Sequence, residues 1–250
     1  MTEGAPISFG FTPGDAIVVT GAGSGIGRAT ALHAAQLGLG VAAWDLNEQG
    51  VRQTVQEIEQ AGGRGIAVTA DVTDELRVRA AFDASAAALG EARYLVNNAG
   101  PASSSDISFD QGLAICVGSM HLVANLWFSR DRPADTALVN LSSVAGTLVG
   151  TAPDWYPAAK AAIMGYTRHL AAYRSADVRA NAVAPGMTDT PRLAGFATSE
   201  IGQRVLQRVP LKRMGSPDEI AWAILFLLSP LASYINGVQL TVDGGWTVTQ

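Results

Sequence analysis

The segment Ala16–Thr20 carries Ile17-Val18-Val19 at its centre and runs straight into Thr20-Gly21-Ala22-Gly23-Ser24-Gly25-Ile26-Gly27, after which helix-patterned sequence begins near Arg28. A strand with one wet face alternates polar and apolar residues, whereas a continuous apolar run must be covered on both faces, as in a parallel sheet between helix layers. The same rhythm repeats along the chain. Strands are expected at Ala16–Thr20, Val41–Asp45, Gly65–Asp71, Tyr94–Asn97, Ala137–Leu141, Val178–Ala184 and Val238–Val242. Between them, apolar residues recur every three to four positions at about 25–38, 47–61, 74–89, 107–129, 155–175 and 217–229, which predicts helices. The expected fold is α/β, a doubly wound, seven-stranded parallel sheet with helices on both faces.

A chain of 250 residues can hide roughly 70% of its unfolded surface without a metal or disulfide staple, so one domain spanning 1–250 is expected. With 48% hydrophobic and 16% charged residues, the composition is too apolar for disorder. A formal charge of −5, from 17 basic and 22 acidic residues, argues against nucleic acid as partner, because phosphate backbones need clustered cations. Cys116 is the only cysteine, which excludes an internal disulfide and fits a reducing, cytoplasmic setting. Met1–Asp15 lacks a basic start and an apolar run and does not read as a signal peptide. The strongly apolar stretch Ile220–Leu228 is closed by Ser229-Pro230 and falls short of the roughly 20 residues that cross a bilayer, so it reads as a buried helix and no membrane is expected. Its start, Ser216-Pro217-Asp218-Glu219, combines a serine cap, a first-turn proline and acids at the positive dipole end. His33, His121 and His169 are too scattered for a metal site. The stretch 185–214 shows no clear strand or helix face and is the expected substrate lid.

The glycine string misses the spacing G-x-G-x-x-G, since the sixth position from Gly21 is Ile26, and fits T-G-x-x-x-G-x-G through Gly21, Gly25 and Gly27. Glycines there let a strand turn into a helix whose N-terminal amides hold a pyrophosphate. Asp45 closes the second strand 18 residues after Gly27, where an acid accepts hydrogen bonds from an adenosine ribose. Neither Ser24 nor Leu46 supplies the cation that a 2′-phosphate wants, so NAD is expected in preference to NADP. Taken alone, Asp45 also reads as a cap before Asn47.

Tyr156 and Lys160 lie four apart on one helical face, and Ser143 precedes the tyrosine by 13 residues, just past an apolar strand. A phenol is a poor base at neutral pH, but a lysine cation and a nicotinamide cation both favour a phenolate, which makes a usable acid and base. A serine hydroxyl can hold a substrate oxygen while a hydride moves. In isolation, such a pair is more often a surface tyrosine on a lysine stem.

Together these pieces resemble the short-chain dehydrogenase/reductase family in its single-domain Rossmann form, over nearly the whole chain. The resemblance extends to Asp71-Val72, expected at the adenine, and to Asn97-Asn98-Ala99-Gly100. It also covers Pro185-Gly186-Met187-Thr188-Asp189-Thr190, expected at the nicotinamide carboxamide, and Val242-Asp243-Gly244-Gly245. It implies that Ser143 positions the substrate oxygen, Tyr156 exchanges its proton, and Lys160 favours the phenolate and binds the nicotinamide ribose. The cofactor contacts it implies are Gly21, Ser24, Gly25, Ile26, Gly27, Asp45, Leu46, Asp71, Val72, Asn98, Ala99, Gly100, Tyr156, Lys160, Pro185, Gly186, Thr188 and Thr190. A homo-oligomer, tetramer or dimer, is implied as well.

One position departs from the family pattern. Cys116 stands 27 residues before Ser143, where relatives carry an asparagine that supports a water in the proton relay, and a thiol cannot reproduce an amide's paired hydrogen bonds. Three readings stand open: an NAD-dependent dehydrogenase of a small to medium, mainly apolar secondary alcohol or ketone; a dinucleotide-binding sensor or scaffold disabled at Cys116; and an NADPH-dependent reductase of acyl-carrier-bound ketones. Trp155, Met187 and Leu193, with Phe196, are the expected apolar substrate wall. Arg192, Arg204, Arg208, Lys212 and Arg213 fit either an acidic substrate or a solvated helix face.

Overall fold

A computed structural model describes residues 9–147 and 153–249. Of the N-terminal stretch expected to carry no leader, residues 1–8 lie outside the described residues. The seven expected strands form one parallel sheet: β1 (Ala16–Thr20), β2 (Gly40–Asp45), β3 (Arg64–Thr69), β4 (Ala92–Asn97), β5 (Ala137–Leu141), β6 (Arg179–Pro185) and β7 (Gln239–Val242), in the order β3-β2-β1-β4-β5-β6-β7. Every residue of β1 and β5 is buried, as their unbroken apolar runs require, whereas the edge strands β3 and β7 are half-buried. The register pairs Thr20 with Trp44, Val19 with Val96, Asn97 with Asn140 and Leu141 with Val183, so the strands' C-terminal ends form one rim.

Helices α1 (Gly25–Gln36), α2 (Glu48–Gln60) and α8 (Pro217–Leu228) cover one face, where Ile17, Val19 and Val41 meet Ile220, Ile224 and Leu228. The start of α8 is as expected: Ser216 Oγ accepts from the Glu219 amide, and Glu219 accepts in return from the Ser216 amide. Helices α3 (Glu75–Leu89), α4 (Phe109–Leu113), α5 (Ser119–Phe128) and α6 (Trp155–Tyr173) lie on the side where Val18, Trp44 and Leu95 pack with Phe82, Trp127 and Leu170. A π turn, Ala114–Gly118, joins α4 to α5, making Phe109–Phe128 one helical run. Among the described residues this run, rather than Ile220–Leu228, is the one long and apolar enough to cross a bilayer by length and composition. Its inward side chains Met120, Val123, Ala124 and Trp127 are buried in the protein instead.

The stretch 185–214 is not structureless. It holds two short 3₁₀ turns, at Pro191–Leu193 and Phe196–Thr198, and a helix, α7 (Glu200–Arg208), that the sequence reading missed. The signal was Ser199, whose hydroxyl accepts from the Gly202 amide at 3.0 Å. Few apolar residues follow it, because α7 lies over the rim rather than in the core.

Candidate active site

The strand order reverses between β1 and β4, and open α/β sheets bind ligands in the crevice at such a switch point. Each motif lies just past a strand's C-terminal end, so the parallel topology delivers them all to one rim. The glycine loop follows β1, Asp45 ends β2, Asn98 follows β4, Ser143 follows β5 and Pro185 ends β6. They surround one cavity of about 590 Å³.

Thr20 Oγ1 accepts from the amides of Asn98 and Ala99, both at 3.0 Å, and Asn98 Nδ2 donates to the carbonyls of Thr20 and Gly21 at 2.9 and 3.1 Å. These bonds clamp the glycine loop to the loop after β4. Gly21 and Gly25 adopt positive φ of 68° and 53°. A Cβ on Gly27 would stand 2.1 Å from the Gly21 carbonyl oxygen, so α1 begins where only glycine fits. Ser24 caps no amide of its own helix, and Ser24, Gly25 and Ile26 all line the cavity. This bare backbone at the start of a 12-residue helix fits a pyrophosphate.

Asp45 is held by the loop it faces: Oδ2 accepts from the Gly23 amide and Oδ1 from the Asn47 amide, both at 2.8 Å. A side chain on Gly23 would come within 2.9 Å of that carboxylate. On the adjoining helices, Arg28 pairs with Glu57 and Arg52 with Glu48. The Asp45 carboxylate therefore lines the cleft with Arg28 and Arg52 paired to glutamates.

At the other end, α6 carries Tyr156 and Lys160 into the cavity beside Ser143. Lys160 Nζ donates to the Leu141 carbonyl at 2.9 Å and lies 5.6 Å from the Tyr156 ring centroid. Ser143 Oγ accepts from the Ala145 amide at 3.2 Å, which fixes the hydroxyl at the mouth of a 3₁₀ turn. That turn packs hard on α6, since a Cβ on Gly146 would meet the Lys160 carbonyl carbon at 2.5 Å. The arrangement offers an acid–base hydroxyl, an ammonium and a fixed serine hydroxyl around one space.

Other expected contacts fall differently. Pro185, Gly186, Thr188, Thr190 and Leu193 line the cavity with Asn98. Gly27, Leu46, Asp71, Val72, Ala99 and Gly100 stand outside its lining: Leu46 is solvent-exposed, and Asp71 accepts from the Thr73 amide and hydroxyl. Trp155 does not line the substrate wall; it is 1% exposed and packs on Cys116 and Ala159 in the core. Gly112 makes room for it, since a Cβ there would sit 2.6 Å from the indole. Met187 packs against Val144, Val209 and Trp246, not on the cavity wall. Helical phase places Trp155 about 100° around α6 from Tyr156, which turns it into the protein. The cavity is lined instead by Pro101, Ala102, Ser103 and Ser104, in the loop after β4, with Arg192 and Phe196 from the two 3₁₀ turns.

Cys116 is 3% exposed and sits inside the π turn, where the Ser119 amide reaches back to the Ala114 carbonyl. Burial pushes its thiol up, partly offset by the charges of Lys160 and Arg192. π turns are often found at functional sites.

Residues 21–247 match the family model described as enoyl-(acyl carrier protein) reductase. The chain belongs to the short-chain dehydrogenase/reductase family. It is 37% identical over 245 residues to cis-4-hydroxycyclohexanecarboxylate dehydrogenase of Sinomonas cyclohexanicum, covering 92% of this chain and 95% of that one. It is 33% identical over 242 residues to cyclohexanol dehydrogenase of an Acinetobacter species, covering 92% and 94%. Among solved structures, a 7α-hydroxysteroid dehydrogenase complexed with NADH and 7-oxo glycochenodeoxycholic acid superimposes with a TM-score of 0.88, at 33% identity and 95% and 96% coverage. The protein is an oxidoreductase of this family, whose dehydrogenases use nicotinamide cofactors and act on small molecules.

Proposed function

We propose that the protein is an NAD-dependent dehydrogenase that interconverts a small to medium secondary alcohol and its ketone. The observation that carries this reading is the shared cavity, which has Ser143, Tyr156 and Lys160 at one end and the Asp45 carboxylate at the other. A bound nicotinamide supplies or accepts the hydride. Around it, Ser143 Oγ holds the substrate oxygen, and Tyr156 Oη takes the hydroxyl proton during oxidation and returns it during reduction. Lys160 holds charge beside the phenol and donates to the nicotinamide ribose. Gly21, Ser24, Gly25 and Ile26 hold the pyrophosphate, Asp45 the adenosine ribose, and Pro185, Gly186, Thr188 and Thr190 the carboxamide. Relatives named for ring alcohols support an alicyclic substrate, and a cytoplasmic setting fits the single, buried, unpaired Cys116.

The acyl-carrier reading needs a free basic patch on the lid. Arg204 pairs with Glu200 and Arg213 pairs with Glu219, so two of the lid's cations are paired with acids within the chain. The test is fluorescence titration with NADH beside NADPH, followed by a panel of secondary alcohols. The expected result is tighter NADH binding and turnover that falls by about 10²- to 10⁴-fold in Tyr156→Phe with NADH binding retained. Turnover that survives in Tyr156→Phe would overturn the assignment.

A further inference from the structure

Of the five basic residues between 185 and 214, Arg192 is the one that lines the cavity. It sits in the first 3₁₀ turn of the lid, and its guanidinium crosses to the loop after β4, donating to the carbonyls of Gly100 at 2.6 Å and Pro101 at 3.4 Å. Two neutral carbonyls engage two of five N–H groups and leave the positive charge without a counter-ion. Among the described residues, no carboxylate pairs with Arg192, and the one acid lining the cavity is Asp45, at the adenosine end. Leu148-Val149-Gly150-Thr151-Ala152, outside the described residues, contains no acid by sequence. Arg192 lines the same cavity as Ser143, Tyr156 and Lys160. Lys160 already has its place beside Tyr156, so Arg192 is the cation left for substrate. A chain of net charge −5 thus presents a locally positive wall to whatever lies between the lid and Ser143, with the Leu193 and Phe196 side chains beside it.

We propose that Arg192 selects substrates that carry a carboxylate away from the carbinol carbon, pairing with that carboxylate while Ser143 and Tyr156 hold the oxygen on the carbon being oxidised. The proposal deepens the dehydrogenase reading and rests on it for the position of the carbinol. The planar guanidinium suits a carboxylate because two parallel N–H donors match its two oxygens, and such charge-assisted bonds are stronger than those Arg192 makes to neutral carbonyls. The cost of exchange is small, because the carbonyls of Gly100 and Pro101 are near solvent and can be rehydrated.

The experiment compares 3-hydroxycyclohexanecarboxylate with its methyl ester, which differ in charge and hardly in shape. The wild type is expected to favour the acid in kcat/KM, and Arg192→Gln to lower the acid-to-ester ratio by about 10- to 100-fold, with part restored in Arg192→Lys. A guanidinium that only straps the lid to the loop would affect acid and ester alike, and an unchanged ratio would overturn the proposal. A second readout does not use turnover: cyclohexanecarboxylate added with NADH should raise the melting temperature of the wild type and not of Arg192→Gln. If the ester is oxidised but the acid is neither preferred nor stabilising, Arg192 is not the selector and the dehydrogenase reading stands. If neither probe is oxidised yet the carboxylate stabilises the wild type alone, the anion site stands and the dehydrogenase reading falls. If neither is oxidised and nothing is stabilised, both fall.

Discussion

Cys116 concentrates the chemistry at the scale of single residues. It lies in a π turn beside Trp155 and Ala159, and burial keeps its thiol protonated, so it offers no paired donor and acceptor of the kind an amide provides. A π turn loosens the helical ladder locally, and a backbone carbonyl with a water can then carry a proton in the amide's place. On that basis Cys116→Asn should turn over as fast as the wild type or faster, measured by NADH production; a collapse of turnover in a variant that still folds and binds NADH would sink the relay argument. Asp45 is the second residue whose neighbours decide its meaning. Its carboxylate is fixed by two backbone amides, so the double change Asp45→Ala with Leu46→Arg exchanges repulsion of a 2′-phosphate for a cation. The ratio of NADPH to NADH affinity should then rise by about 10- to 100-fold, and an unchanged ratio would show that Asp45 does not set the choice.

At the scale of elements, the lid separates what periodicity can reveal from what it cannot. The helices that cover the sheet announce themselves because their apolar faces recur over three or more turns, as in α8. By contrast, α7 packs Val205 and Leu206 inward and leaves Ile201 exposed, so its apolar pattern is too short to stand out from a loop. Its seat depends on Gly202, where a Cβ would come 1.8 Å from the Phe196 carbonyl oxygen. Backbone cannot yield as a flexible side chain does, so Gly202→Ala should lift α7 from the turn at Phe196–Thr198. The KM for the alcohol is expected to rise about tenfold, and by more than the dissociation constant for NADH. Equal changes in both would mean that the lid does not form the substrate wall.

For the whole molecule, β7 is an edge strand, and in the stretches just before and after it in sequence Leu231, Tyr234, Val238 and Val248 are exposed. Apolar side chains grouped beside an open sheet edge mark an interaction surface. Together with the family resemblance, this supports a homo-oligomer joined at that edge. Light scattering on the purified protein should return a multiple of 25.9 kDa, two or four copies, and Tyr234→Lys should shift it toward smaller species. A single-chain mass at micromolar concentration would overturn the expectation.

The amino-acid sequence alone determined the strands, the layer architecture, the glycine turn and the placing of Tyr156 and Lys160 on one helical face, because each depends on local periodicity or short spacing, whereas the grouping of these with Asp45 and Ser143 came from the family resemblance. Only the tertiary structure decided the strand order, which brings five separate strand ends to one rim. It also packed Trp155 into the interior and Met187 against Val144, Val209 and Trp246, and lined the cavity with Pro101–Ser104. The five lid cations illustrate the physical reason. In sequence they are equivalent, whereas in space Arg204 and Arg213 find glutamates and Arg192 finds the cleft. A side chain's partner is set by which elements pack beside it, and that packing is written across contacts far apart in the chain.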